Sequence, residues 1–349
     1  MNFEIDKKFM DYYNGKLKHI SLYLIDECNL RCIQCFYKLN IEFHLYKNQI
    51  EFEDAVKLIY DFKEMGAEIL TLIGGEPTLY GKNENNASLL KLIKIAKEDL
   101  KYKYVRIDTN GKFDSKLLEK DEFKLLDEIS FSLDGPNSEI NDFIRGQGSF
   151  DSCLKNIKHA IKLGYNVELI SCVSKLLLQK DYLGERYLDH LIKLAENIGV
   201  RKFNCHALIK TGLPRNCYDG NINISIKEWL QVKEEIQHKI ESGEYNNISI
   251  KLPQSFVEKE NFFKDSEKYG YCSCKSATRV FVHPNGMIHA CPLLIGTPYS
   301  IAKFYNNKII WDSTSTNELI SHKLQEKTPC TNQYKKDMYG DYLPICVYL

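Results

Sequence analysis

The sequence lacks an excess of charge of either sign, with 47 lysines and arginines offsetting 47 aspartates and glutamates over 349 residues. No global field draws the chain onto nucleic acid or anionic lipid, so neither a nucleic acid nor a membrane is expected as a partner. No apolar run approaches the length needed to cross a bilayer, and the opening Met1-Asn-Phe-Glu-Ile-Asp6 lacks the basic-then-apolar order of a secretory signal. Low-complexity tracts and sequence repeats are also missing. The length is roughly two domains' worth, ample for a buried core, which excludes a disordered tail and a stapled mini-protein. What these absences leave is an ordinary globular composition, 44% apolar and 27% charged, expected in the cytoplasm.

Cysteine is where the composition stops being ordinary. There are 12, and a reducing cytoplasm disfavours structural disulfides, leaving metal or redox work as the commoner use. Cys28, Cys32 and Cys35 sit together near the start, whereas Cys272, Cys274, Cys291, Cys330 and Cys346 gather in the last quarter. Cys153, Cys172, Cys205 and Cys217 are scattered between. Two gatherings predict two metal sites.

From about residue 20 to 208, short β-rich runs alternate with amphipathic helical patterns, the order that implies a parallel sheet or barrel. Six strands are predicted, at Ile20–Ile25, Ile69–Ile73, Tyr104–Ile107, Ile129–Leu133, Val167–Val173 and Phe203–Leu208. Between them, apolar residues recur at helical spacing and end on Gly66, Gly164 and Gly199, each placed to cap a helix. Cys153 falls on one such apolar face and reads as a small core residue. Ser225 and Glu228 form a capping-box pattern that opens a further helix, ending at Gly243 and closing the repeating region. The polar stretch 244–269 then reads as a connector.

In parallel β/α architectures the loops after the strand C-termini form one face, and chemistry concentrates there. The first strand is followed by Asp26-Glu-Cys28-Asn-Leu-Arg-Cys32-Ile-Gln-Cys35-Phe36-Tyr37, the second by Gly74-Gly75-Glu76-Pro77, the third by Asp108-Thr109-Asn110-Gly111. The fourth carries Ser132 and Asp134-Gly135-Pro136, the fifth Cys172 and the sixth Cys205-His206. Such elements at successive strand ends imply one shared site. Three cysteines within eight residues supply soft ligands for zinc or iron–sulfur. A structural zinc wants four closed protein ligands, and His19 and His44 lie outside the tight spacing. An iron–sulfur cube held by three cysteines instead leaves one iron open. Gly74-Gly75 lets backbone approach a ligand closely, with N–H and C=O groups for an amino acid head, or serves as a tight strand-to-helix connection. Cys172 and Cys205 read as buried core thiols, with hydrogen-atom return to a substrate radical as the alternative; His206 reads as a satisfied polar group or a proton acceptor.

The spacing Cys28-x-x-x-Cys32-x-x-Cys35, the aromatic Phe36 and Gly-Gly-Glu-Pro at 74–77 resemble the radical S-adenosylmethionine (radical SAM) superfamily. Ser-Leu-Asp-Gly-Pro at 132–136, with Asn141-Asp142 and Arg145-Gly146, resembles the subgroup with a cysteine-rich extension called SPASM or, when short, twitch. The resemblance implies an α/β fold, a partial (β/α)6 TIM-like barrel with a small C-terminal auxiliary-cluster domain. A doubly wound sheet would also put these loops on one edge. The implied boundaries are a lead-in at 1–18, the barrel at 19–243, the connector at 244–269 and the auxiliary domain at 270–349.

By this resemblance Cys28, Cys32 and Cys35 ligate a [4Fe–4S] cluster whose open iron chelates S-adenosylmethionine. Backbone at Gly74, Gly75 and Glu76 holds the methionyl amine, Ser132 and Arg145 serve the carboxylate or ribose, Asn110 the ribose, and Phe36 and Tyr37 lie near the adenine. A reducing electron donor such as flavodoxin or ferredoxin is implied as a partner. An auxiliary [4Fe–4S] cluster drawn from Cys272, Cys274, Cys291, Cys330 and Cys346 is expected, with a structural zinc or unligated thiols as alternatives. Asn285-Gly286 reads as a two-residue hairpin turn in which Val280 faces Cys291. The later cysteine run of a full SPASM domain is absent, which argues against sulfatase maturation.

The activity implied is modification of a peptide or protein side chain. About eighteen residues precede the first predicted strand, too few to grip a leader, so a separate recognition protein is expected to supply that. Radical chemistry on a sugar, nucleoside or amino acid is the alternative. A non-enzymatic iron–sulfur or zinc protein is a third reading, which predicts no 5′-deoxyadenosine.

Overall fold

The computed structural model describes residues 5–35, 37, 49–209, 222–253, 255–265, 268, 276–292, 300–312 and 340–345. Six parallel strands run in chain order, β1 (His19–Tyr23), β2 (Ile69–Ile73), β3 (Tyr104–Thr109), β4 (Glu128–Ser132), β5 (Val167–Val173) and β6 (Lys202–Ala207), within two residues of their predicted bounds. Each alternates its faces. Leu22, Leu72, Ile107, Phe131, Leu169 and Phe203 are buried on one side in the main core, against the helices. The opposite face is polar, where a filled barrel would be packed with branched aliphatics. There the Arg106 guanidinium pairs with Asp108 (2.9 Å), Glu168 (3.0 Å) and Glu128 (3.4 Å), and His19 is hydrogen-bonded to Thr71 at 2.8 Å. His19 is therefore committed inside the sheet.

Among the described residues, the α-helices of six residues or more are α1 (Lys7–Tyr13), α2 (Phe52–Glu64), α3 (Ala87–Lys94), α4 (Ser138–Arg145), α5 (Ser149–Lys162), α6 (Tyr187–Asn197), α7 (Ile226–Glu241) and α8 (Lys259–Lys264). Helix α2 ends before Gly66 at φ +101°, a left-handed position that the predicted cap requires. The capping box opening α7 is present in both directions, Ser225 Oγ accepting from Glu228 N–H and Glu228 accepting from Ser225 N–H. Cys153 lies inside α5, 1% exposed, and burial pushes its thiol up to about 12.

The sheet extends beyond the six units. β7 (Ser249–Lys251) pairs parallel with β6, and β8 (Ser255–Glu258) pairs antiparallel with β13 (Tyr342–Ile345) in a separate two-stranded sheet, so the stretch expected as a bare connector carries strands and α8. Short, polar edge strands carry little periodicity by which to find them. On the other edge β9 (Arg279–Val282) pairs parallel with β1, and β10 (Met287–His289), β11 (Ala302–Tyr305) and β12 (Lys308–Trp311) continue antiparallel from it. The Asn285-Gly286 hairpin is present with a different turn. His283 N–H donates to Met287 C=O at 3.0 Å, leaving Pro284, Asn285 and Gly286 as a three-residue loop with Gly286 at φ +83°. The observed pairs Val282 with Ile288 and Phe281 with His289 place Ala290, not Cys291, across from Val280. A Cβ on Gly286 would stand 2.2 Å from the Phe304 carbonyl, so β11 dictates that turn.

Candidate functional site: the cysteine loop at the sheet's carboxyl edge

The loop from Asp26 to Tyr37 leaves β1 carrying all three early cysteines, each partly exposed. Neighbouring strand-end loops grip it from several sides. Gly75 N–H donates to Ile25 C=O (2.7 Å) and Glu76 N–H to Glu27 C=O (2.8 Å), so the glycine turn runs as a backbone ladder along the loop. A Cβ on Gly75 would lie 2.2 Å from the Glu27 oxygen, and one on Gly74 2.5 Å from the Ile25 oxygen. Both glycines are thus required by the cysteine loop itself, and the N–H groups of Gly75 and Glu76 are already used. From the third strand, Asn110 Nδ2 donates to Asn29 Oδ1 (2.8 Å) and lies 3.6 Å from Cys28 Sγ. From α4, Ile144 C=O accepts from Ile33 N–H (2.9 Å) and Arg145 C=O lies 3.7 Å from Cys32 Sγ.

Glu76 is fully buried, and its carboxylate accepts from Thr78 N–H and Oγ1, Thr109 Oγ1 (2.7 Å) and Asn110 N–H (2.8 Å). Its side chain is a brace between the second and third strand ends that aims Asn110 at the loop. Burial raises its pKa while these donors pull it back.

Asp134, noted from the sequence only as a strand-end residue, and Gln34, given no role there, turn out to be central. Asp134 is 0% exposed; it pairs with Arg145 Nε at 2.6 Å, and accepts from Gln34 Nε2 and from Cys172 N–H at 2.6 Å. One carboxylate thereby joins the cysteine loop, α4 and β5. Burial opposes the charge on Arg145, but Asp134 together with Cys32, Cys172 and Cys153 outweighs it and holds the guanidinium cationic. The available signal was an acidic residue directly after a strand with an arginine in the following helix.

Other expected residues fall as follows. Ser132 ends β4, partly exposed, in register with Ile170. Tyr37 is 4% exposed, its hydroxyl donating to Asp26 Oδ1 and its ring stacked on Tyr23. Cys205 is buried as expected, whereas Cys172 is partly exposed at the mouth of β5. Burial drops the pKa of His206 to about 4, leaving it neutral at pH 7. Phe36, His44, Cys217, Cys272, Cys274, Cys330 and Cys346 lie outside the described residues, and Cys291 is partly exposed just beyond β10.

The donor set suits an iron–sulfur cluster. Cys28, Cys32 and Cys35 feel one another electrostatically, and burial raises the first two thiols, Cys32 to about 11. Thiols held neutral by burial ionise on a bound metal, which supplies the missing positive charge. Among the described residues no three His, Cys, Asp or Glu side chains close on a single ion. Three soft sulfur donors on one loop are the ligand type that iron–sulfur clusters take.

A partial α/β barrel with such a loop on its first strand end defines a class of metal-cluster enzymes. The family description "Radical SAM superfamily" matches residues 22–198, just over half of the chain, which therefore belongs to the radical SAM superfamily. The cofactors of that family are a [4Fe–4S] cluster and S-adenosylmethionine. In sequence the chain is similar to GTP 3′,8-cyclase of Petrotoga mobilis, 24% identical over 229 residues, covering 64% of this chain and 65% of that protein. It spans about half to two thirds of the length of the curated relatives it matches. In fold it is similar to Streptococcus suis SuiB bound to S-adenosylmethionine, with a TM-score of 0.66 at 17% identity, covering 94% of this chain and 72% of that one. It is also similar to anSMEcpe with bound AdoMet and a Cp18Cys peptide, with a TM-score of 0.57 at 17% identity, covering 82% and 77%. Among the described residues no helix is long and apolar enough to cross a membrane.

Proposed function

We propose that the chain reductively cleaves S-adenosylmethionine and removes a hydrogen atom from a side chain of a peptide or protein. The reading is carried by one observation: three partly exposed thiols on a single loop, braced by the β2, β3 and α4 ends. When bound, the cluster and its sulfonium ligand supply a single-electron cleavage that yields methionine and a 5′-deoxyadenosyl radical. Cys28, Cys32 and Cys35 hold the cluster. The methionyl ammonium is a donor, which suits backbone carbonyls at Gly74 and Gly75, while the Glu76 carbonyl already accepts from Leu79 N–H at 3.0 Å. Arg145, kept cationic by Asp134, meets the carboxylate; Ser132 and Asn110 serve the carboxylate and ribose, and Phe36 the adenine. The polar lumen below, anchored on Arg106, orients substrate polar groups.

Cys291, with partners from Cys272, Cys274, Cys330 and Cys346, holds an auxiliary [4Fe–4S] cluster in a SPASM- or twitch-like region at 270–349. A cytoplasmic flavodoxin or ferredoxin supplies the electron, and a separate protein presents the peptide. The peptide reading draws on the fold shared with anSMEcpe, which has been solved with a bound peptide. The sequence likeness to GTP 3′,8-cyclase supports a second reading, radical chemistry on a small molecule such as a nucleoside.

Anaerobic reconstitution with iron and sulfide, followed by measurement of 5′-deoxyadenosine with reductant and S-adenosylmethionine, tests the core of the proposal. Wild type is expected to produce it and Cys32→Ala to produce none; equal output removes the mechanism. Mass spectrometry of cell-extract peptides against metabolites, incubated with the active protein, separates the two substrate classes.

A further inference from the structure

The hydrogen bond from Tyr37 to Asp26 joins the two residues that bracket all three early cysteines. Tyr37 is itself held. Its ring stacks on Tyr23 of β1 with centroids 5.0 Å apart, and Tyr23 stacks on His283, just after β9, at 4.3 Å. His289 of β10 meets His283 edge-on at 5.1 Å. Phe281 joins Tyr23 and Tyr37 in one small cluster, against which Cys35 packs. All five rings are 4% exposed or less. The C-terminal hairpin thus reaches the third cysteine through a continuous stack, whereas the loop's other contacts are mostly hydrogen bonds from β2, β3 and α4.

We propose that the Asp26–Tyr37 bond is a latch closing the cysteine loop and that the β9–β10 hairpin keeps it shut through His283. Tyr37 and His283 are then positioning residues that set how the three thiols present themselves. The consequence for a cluster rests on the function proposed above; the latch itself rests on geometry alone. Closing a loop costs chain entropy, and a flat ring stacked on Tyr23 and buried beside Phe281 limits where the Tyr37 hydroxyl can go, so the bond to Asp26 forms at little further cost.

The test is amide hydrogen exchange across residues 28–35 of the full chain before metal loading, in wild type, Tyr37→Phe, His283→Leu and His283→Phe. Losing one hydrogen bond is expected to speed exchange there about two- to tenfold in Tyr37→Phe, with the β2–β5 strands unchanged. His283→Leu should do the same, and His283→Phe, which keeps a flat ring, should restore protection. Unchanged exchange in both Tyr37→Phe and His283→Leu overturns the latch. If His283→Leu loosens the whole chain, Tyr37→Phe decides, since it removes a single oxygen. After loading with iron and sulfide, the electron paramagnetic resonance response to S-adenosylmethionine should differ in line shape between wild type and Tyr37→Phe. A wild type without that response counts against the proposed function; a response identical in both counts against the latch.

Discussion

Arg145 sets its Nε 2.6 Å from the Asp134 carboxylate, with the arginine side chain 10% exposed and the aspartate 0%. Neither charge has much water to fall back on. Asp134→Asn would leave the guanidinium buried without its counter-charge, and breaking such a pair costs about 3–5 kcal/mol. Chemical denaturation is expected to show a loss within that range, because asparagine keeps a single acceptor oxygen for Gln34 or Cys172 N–H and turns its NH2 toward the other donor. A loss under about 1 kcal/mol would mean that water reaches the pair.

Gly75→Ala tests whether the glycine turn serves the cysteine loop. The added Cβ would sit 2.2 Å from the Glu27 oxygen and 2.5 Å from the Asp26 oxygen, both backbone, so the loop must move away. Destabilisation of about 1–3 kcal/mol is expected, as for other overpacked sites, together with reduced iron uptake on reconstitution. Wild-type melting and iron content would show that the turn has room to spare.

His206 makes the acid side of the stability profile testable. Its pKa falls from 6.5 to about 4, chiefly through burial, with Arg106 lowering it further and Asp134 raising it. The unfolded chain then binds more protons than the folded one between those values, so stability falls as pH drops from about 6.5 to 4 and this contribution levels off below. His206→Gln should flatten that part of the profile. Urea midpoints at pH 7 and pH 5 measure it, and equal differences in both proteins would contradict the assignment.

Iron content separates one cluster from two. Two four-iron cubes require about eight irons and eight sulfides per chain, and one requires about four. Wild type is expected near the higher value and Cys291→Ala near the lower. Oxygen exposure should bleach both. Four irons in wild type, unchanged in Cys291→Ala, would remove the auxiliary cluster and leave the first untouched.

Local chemistry was legible without coordinates because it is written at short spacing. Three cysteines in eight residues, apolar residues at helical and strand periods, and glycines such as Gly66 where helices stop all follow from neighbours along the chain. These settled six βα units and the loop that carries the thiols. Tertiary structure decided what depended on distant partners. Asp134 became a hub because Gln34, 100 residues earlier, meets it in a buried space where an unpaired carboxylate could not persist. The hairpin slipped one residue from its expected pairing because the β11 backbone crowds Gly286. Tyr37 stacks with His283 because β9 adds to the open edge of β1, and no periodicity along the chain records which edge a later strand will find.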